Sequence, residues 1–425
     1  MVRDWRVWTG TLAFGLVLMG IAWAQSPSVG LTVTPGQVEP GGQVTLSWNA
    51  PWATECQATG AWTGVKAPVG TETVSPSRSG DYGLTCRGPM ASGSAGVVVA
   101  EAAPPPPPPP PGPVLSCLEK PSNQIHQVTL NPDNLYTLTS PVAGHTYDYR
   151  GQRVQRLPTS HLMSIQKAGD MCLTGATAIG TQPRSATWLE VKRQYDHGGI
   201  QYGNMLSGAD AVIQGVRIEN VEDGLMMPRD PSHNGKNITW RLEDAWLEYI
   251  RDDGVENDSC LNGTIRNTLM DNIHMGLAAR PSKGNDVPTL VDAKWDIDGL
   301  LLHLGCKPDT RGSGEIYRGP GSCPAGTSVA QVFKTSGCIG SITMKNSVIR
   351  LDAVGNGGPD QMRWLPGTYE NVTLVWRGPG AYPGPALPRG VTLTTDINAW
   401  NNARAAWLAR NGCSDTTKTC NWLQR

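Results

Sequence analysis

Eight consecutive prolines, Pro104–Pro111, constrain this 425-residue chain more than any other feature. Proline has no backbone N–H and a fixed φ, so such a run joins neither a helix nor the interior of a sheet. It adopts extended polyproline II instead, rising about 3.1 Å per residue, so residues 103–113 span roughly 30 Å. The chain therefore reads as folded parts on either side of a stiff spacer, residues 27–102 before it and 114–425 after it.

The first 24 residues set the compartment. Arg3 and Arg6 flank a short basic start, Val7 to Gly20 is mostly apolar, and Ala22-Trp23-Ala24 precedes Gln25 as a small-x-small cleavage site. That is the layout of a secretory signal peptide over residues 1–24. No later run approaches the roughly 20 apolar residues of a membrane span, so none is expected after cleavage. All ten cysteines follow the signal, and an even count in an exported chain points to disulfides. The formal net charge of −1 removes the electrostatic case for nucleic acid as partner. Few charged residues, 50 Gly and 15 Trp against two Phe suit a β architecture with many turns.

Residues 27–102 alternate in short runs, Val44 to Trp48 and Tyr82 to Cys86, as half-buried strands do. The pieces PGGQVTLSW and YGLTCRG, with Thr54-Glu55-Cys56 and Gly60-Ala61-Trp62 between them, resemble bacterial immunoglobulin-like modules. That resemblance implies a Cys56–Cys86 disulfide, Trp48 in the core of a sandwich, and a spacer or binding role without catalysis.

Residues 114–395 carry recurring strand-like runs, many apolar-x-apolar and followed by Asn or Asp. VRIENVEDGLMM from Val216, WRLEDAWLEYIRDDGVEND from Trp240 and IRNTLMDNIHMGLAAR from Ile265 look like variants of one unit. Their shared glycines, Gly224, Gly254 and Gly276, fit successive coils of a solenoid. A second β-sandwich or jelly roll is the competing fold. With RDDGVEND from Arg251 and DNIHMGLAARP from Asp271, this part resembles, over roughly residues 200–375, right-handed parallel β-helix proteins of the pectate-lyase-like group, which implies a parallel β-helix for residues 114–395. Over residues 396–425, Asp396 caps an expected helix whose Ile397, Trp400, Trp407 and Leu408 form one apolar face. This helix is expected to plug the open end of the coil stack, with Cys413–Cys420 closing a short loop after it. Cys306–Cys323 is a further expected pair, with Cys260 and Cys338 as competitors.

Chemistry concentrates in Asp252 and Asp253, followed by His274 and then Arg280 and Lys283. Coils stack about 4.8 Å apart, which brings residues about 22 apart in sequence together. Paired carboxylates at such spacing can act as general acid and base on a glycosidic bond. Polygalacturonase-type glycosidases are similar in carrying adjacent Asp residues, then a His strand, then Arg-x-Lys. The spacing here is one residue longer, and His274-Met275-Gly276 replaces Gly-His-Gly. A lyase reading uses the same region with Ca²⁺, a hard ion that takes oxygen ligands, on Asp223, Asp252 and Asp258, and with Arg280 or Lys283 as base. The hydrolytic reading requires no cofactor. Asp-Gly is also a turn signal, so Asp252 and Asp253 read equally as turn formers. Two functions stay open: an exported hydrolase or lyase acting on polysaccharide, and a non-enzymatic glycan-binding or structural cell-surface protein.

Overall fold

The computed structural model describes residues 28–38, 41–76, 80–89, 92–101, 116–195, 198–203, 205–206, 208–227, 238–280, 293–311, 316–335 and 338–424. Residues 1–24, expected as a signal peptide, residues 103–113, expected as a proline spacer, and Lys283 lie outside them. The chain divides into two compact units that part at Pro107–Pro108. No helix among the described residues is long and apolar enough to cross a membrane.

In the first unit, Gly30–Thr34, Val44–Asn49 and Val69–Val74 form one antiparallel sheet. Glu55–Gly60, Gly64–Lys66, Gly80–Arg87 and Ser92–Glu101 form a second, with Gln37–Val38 at its edge. One buried cluster draws on both sheets, and Trp48 meets Trp62 edge-on at 5.3 Å within it. Cys56 and Cys86 are bonded and stand directly opposite each other on neighbouring strands of one sheet. The immunoglobulin disulfide instead joins the two sheets. The difference follows from register, which sets Cys56 facing Cys86 across a strand pair.

The second unit winds as a parallel β-helix. Tyr136–Thr139, Met163–Gln166, Ile200–Tyr202, Leu225–Met226, Asp253–Glu256, Met275–Ala279 and Phe333–Thr335 form a parallel sheet in which each strand comes from the next coil. A longer sheet, also parallel, carries the remaining walls, with Asn262–Ile273, Ala293–Leu304, Ile339–Leu351 and Gly367–Trp376 at its centre and later coils.

Two columns of residues make the stacking possible. Asp244, Asn267, Gly299, Asn346 and Asn371 hold one turn position on successive coils, all at positive φ. Asn and Asp tolerate that left-handed conformation best after glycine. Their side chains also bond from coil to coil: Asn267 donates to Asp244 at 2.6 Å, and Asn371 donates to Asn346 at 2.9 Å. The second column is Gly224, Gly254 and Gly276. A Cβ on each would stand 2.4–2.9 Å from the carbonyl oxygen of the next coil, so only glycine fits.

The helix Ile397–Arg410 does form, and Asp396 caps it by accepting from the Asn398 N–H. It does not plug the open end of the stack. It lies along the outer side of the long sheet, where Trp400 and Trp407 bury against Trp246, Leu269, Leu301 and Val375. The reason is a second apolar stripe. Leu247, Met270 and Leu302 point into the coil, while their sequence neighbours Trp246, Leu269 and Leu301 point out in one register column. A sheet with apolar residues on both faces needs cover on both. Hydrogen bonds fix the helix there: Trp407 Nε1 donates to the Asn267 carbonyl, and Arg404 donates to Asp271.

All ten cysteines are paired; the remaining bonds are Cys117–Cys172, Cys260–Cys338, Cys306–Cys323 and Cys413–Cys420.

Candidate functional site

Register brings the chemistry together on the smaller parallel sheet. Leu225 stands beside Val255, and Val255 beside Leu277, so Asp223 falls next to Asp253, and Asp252 next to His274. The Asp253 N–H donates to Asp223 Oδ1 at 3.0 Å, and His274 Nδ1 lies 3.8 Å from Asp252 Oδ1. Oxygens of Glu222, Asp223 and Asp252 lie within 4.8 Å of one another, as do those of Asp223, Asp253 and Glu256. All five carboxyl groups are buried; Asp252 is 7% and Asp253 3% exposed.

Two ammonium groups face this floor. Lys334, on the coil after His274, donates to both oxygens of Asp253 at 3.2 and 3.1 Å. Lys192 pairs with Glu222 and stands 3.4 Å from Asp252. It comes from the helix Trp188–Gln194, which starts in a reciprocal cap between Thr187 and Glu190.

Among the described residues five buried acids meet two ammoniums, and their environments push the acids in different directions. Burial, with Asp252 and Asp223 nearby, pushes Asp253 well above the usual carboxylate range despite Lys334. Burial likewise pushes Asp223 up, helped by Glu256 and Asp252. Burial opposes ionisation of Asp252 too, yet His274, Lys334 and Lys192 hold it below the usual range. Burial lowers His274 against the pull of Asp252. Neighbouring acids of one site are thus pushed in opposite directions.

Of the residues expected from sequence, Asp223, Asp252, Asp253 and His274 meet here. Asp258 and Arg280 do not join them: the Arg280 N–H donates to Asp258 at 3.1 Å, and the Arg280 side chain is exposed. Asp258 is therefore a poor partner for Asp223 in holding a cation, and Arg280 is not set as a base against the cluster. Lys192, Glu222, Glu256 and Lys334 belong to the site and escaped the sequence reading. Glu222 and Glu256 were legible as neighbours of Asp223 and Asp253; the two lysines depend on coil register alone.

Asp223, Asp253 and Glu256 supply the oxygen donors that Ca²⁺ takes. The Lys334 ammonium already bonds both oxygens of Asp253, however, so a cation would compete with it, and the residues present fit a metal poorly.

No protein-family model matches the chain, and no curated protein matches it. Among solved structures, pectate lyase PelI from Erwinia chrysanthemi in complex with tetragalacturonic acid aligns over 86% of this chain and 100% of its own, with 8% identity and a TM-score of 0.18. Values this low leave the fold and the site to rest on the chain's own geometry.

Proposed function

We propose that the protein is exported and that its second unit cleaves a polysaccharide by acid–base hydrolysis of a glycosidic bond. Asp253 serves as the acid and Asp252 as the ionised partner, with His274 beside it. The observation that carries this reading is the coil register that sets Asp223 beside Asp253 and Asp252 beside His274, where burial and neighbouring charge push the two adjacent aspartates in opposite directions. The order of adjacent acids and then a His strand supports it through the resemblance to polygalacturonase-type glycosidases. Five disulfides support export, because thiols stay reduced in the cytosol.

The test is a screen of the full chain against neutral and uronic polysaccharides, reading new reducing ends, unsaturated ends and the effect of a chelator. Hydrolysis predicts reducing ends without unsaturation, unaffected by chelation. Unsaturated ends lost on chelation would move the assignment to a Ca²⁺-dependent lyase. No cleavage of any glycan would leave a binding or structural protein.

A further inference from the structure

His274 is 2% exposed, and one of its two ring nitrogens faces away from Asp252. That nitrogen, Nε2, lies 3.0 Å from Ser328 Oγ. Ser328 donates its single proton to Asp309 Oδ2 at 2.5 Å. Asp309 is held by a two-pronged contact from Arg311, with Nη2 at 2.7 Å and Nε at 3.0 Å. Ser328 and Asp309 are 1% and 0% exposed, so water does not substitute for these partners.

The proton count follows. A hydroxyl has one proton to give. Arg311 keeps Asp309 an acceptor, so the Ser328 proton goes to Asp309 and Ser328 Oγ can only accept from His274. The proton of His274 therefore sits on Nε2, and Nδ1 is turned toward Asp252.

We infer that Ser328, Asp309 and Arg311 are positioning residues that fix the His274 tautomer with Nε2 protonated and with Nδ1, 3.8 Å from Asp252 Oδ1, turned toward that carboxylate. With Nε2 protonated, a neutral ring offers Asp252 a lone pair, and a charged ring offers it a proton. The relay sits on a built support. Lys307–Pro308 pairs antiparallel with Thr327–Ser328, and Cys306–Cys323 ties the same loop. Arg311 lies on the Trp188 ring at 3.9 Å, on the helix that brings Lys192 to Asp252. The charged groups that act on His274 are Asp252, Arg311 and Lys307.

The catalytic consequence rests on the hydrolytic reading above; the tautomer does not. The experiment labels the histidines of the full chain with ¹⁵N, assigns His274 by its loss in His274→Asn, and compares the parent with Ser328→Ala, Ser328→Thr and Asp309→Asn. The expected spectrum shows Nε2 protonated in the parent, mixed tautomers in Ser328→Ala and in Asp309→Asn, and recovery in Ser328→Thr. The expected kinetics are a fall in kcat of roughly tenfold or more in Ser328→Ala with KM little changed, since loss of an orienting partner spoils geometry and not binding. A parent with the proton on Nδ1 alone overturns the relay. So does a Ser328→Ala protein whose His274 spectrum matches the parent. The expected spectra in a parent that cleaves no glycan would support the relay while removing the proposed function.

Discussion

Asp252 and Asp253 are adjacent in sequence and opposite in character. Asp253 has a folded pKa above its unfolded value, so its contribution to stability is present below the ordinary carboxylate range and is lost as pH rises through the folded value. Asp252 is depressed, so its contribution is present above the ordinary range and is lost as pH falls through the folded value. Two substitutions separate them. At neutral pH, Asp253→Asn should melt no lower than the parent, and its advantage should grow as pH rises from about 4, where an ordinary carboxyl titrates. Asp252→Asn should melt below the parent at neutral pH. A turn-forming role for both predicts a loss of about 1 kcal/mol in each, at any pH. Melting curves from acid to neutral pH decide. The adjacent acids were legible because they stand together. Lys334 was not, because a segment of 59 residues separates it from His274, and only the coil register of Phe333 beside Leu277 returns it to the site.

At the scale of elements, the C-terminal helix is the informative case. Its cap and apolar residues were readable; its place was not. The missing signal lay in doubled apolar positions, Trp246-Leu247, Leu269-Met270 and Leu301-Leu302, which mark strands buried on both faces. Single alternation would have left the outer face polar and sent the helix elsewhere. Trp407 is fully buried in that outer cluster, so Trp407→Ala should destabilise the second unit by about 3–5 kcal/mol. Denaturant midpoints measure this. A plug at the open end would leave Trp246 wet and make the loss far smaller. The asparagine column makes a second case. Asn346 sits at φ 46° and accepts from Asn371, so Asn346→Ala should lose about 1–2 kcal/mol by the same measurement, from left-handed strain and a broken coil-to-coil bond.

Across the whole molecule, composition and punctuation carried most of what was legible. The proline run divided the chain, glycine and asparagine spacing marked the coils, and the cysteine count implied bonding. Pairing among Cys117, Cys172, Cys260 and Cys338 was not legible, since it depends on which coils lie next to each other. Residues 27–102 and 114–425 have separate cores, so each piece expressed alone should unfold cooperatively in a melt. A piece that is unfolded alone, while the full chain melts as one, would refute that division.

The central claim is that the buried carboxyl floor moves a proton on a glycan. Its most direct measurement is the cleavage rate of Asp253→Asn on the glycan that the parent cleaves best, taken on protein shown by its melt to be folded. General acid and base groups contribute roughly 10²–10⁴-fold, so the rate should fall by that factor while the melting temperature holds or rises. A variant that cleaves as fast as the parent and melts earlier would assign Asp253 to the turn and contradict the account.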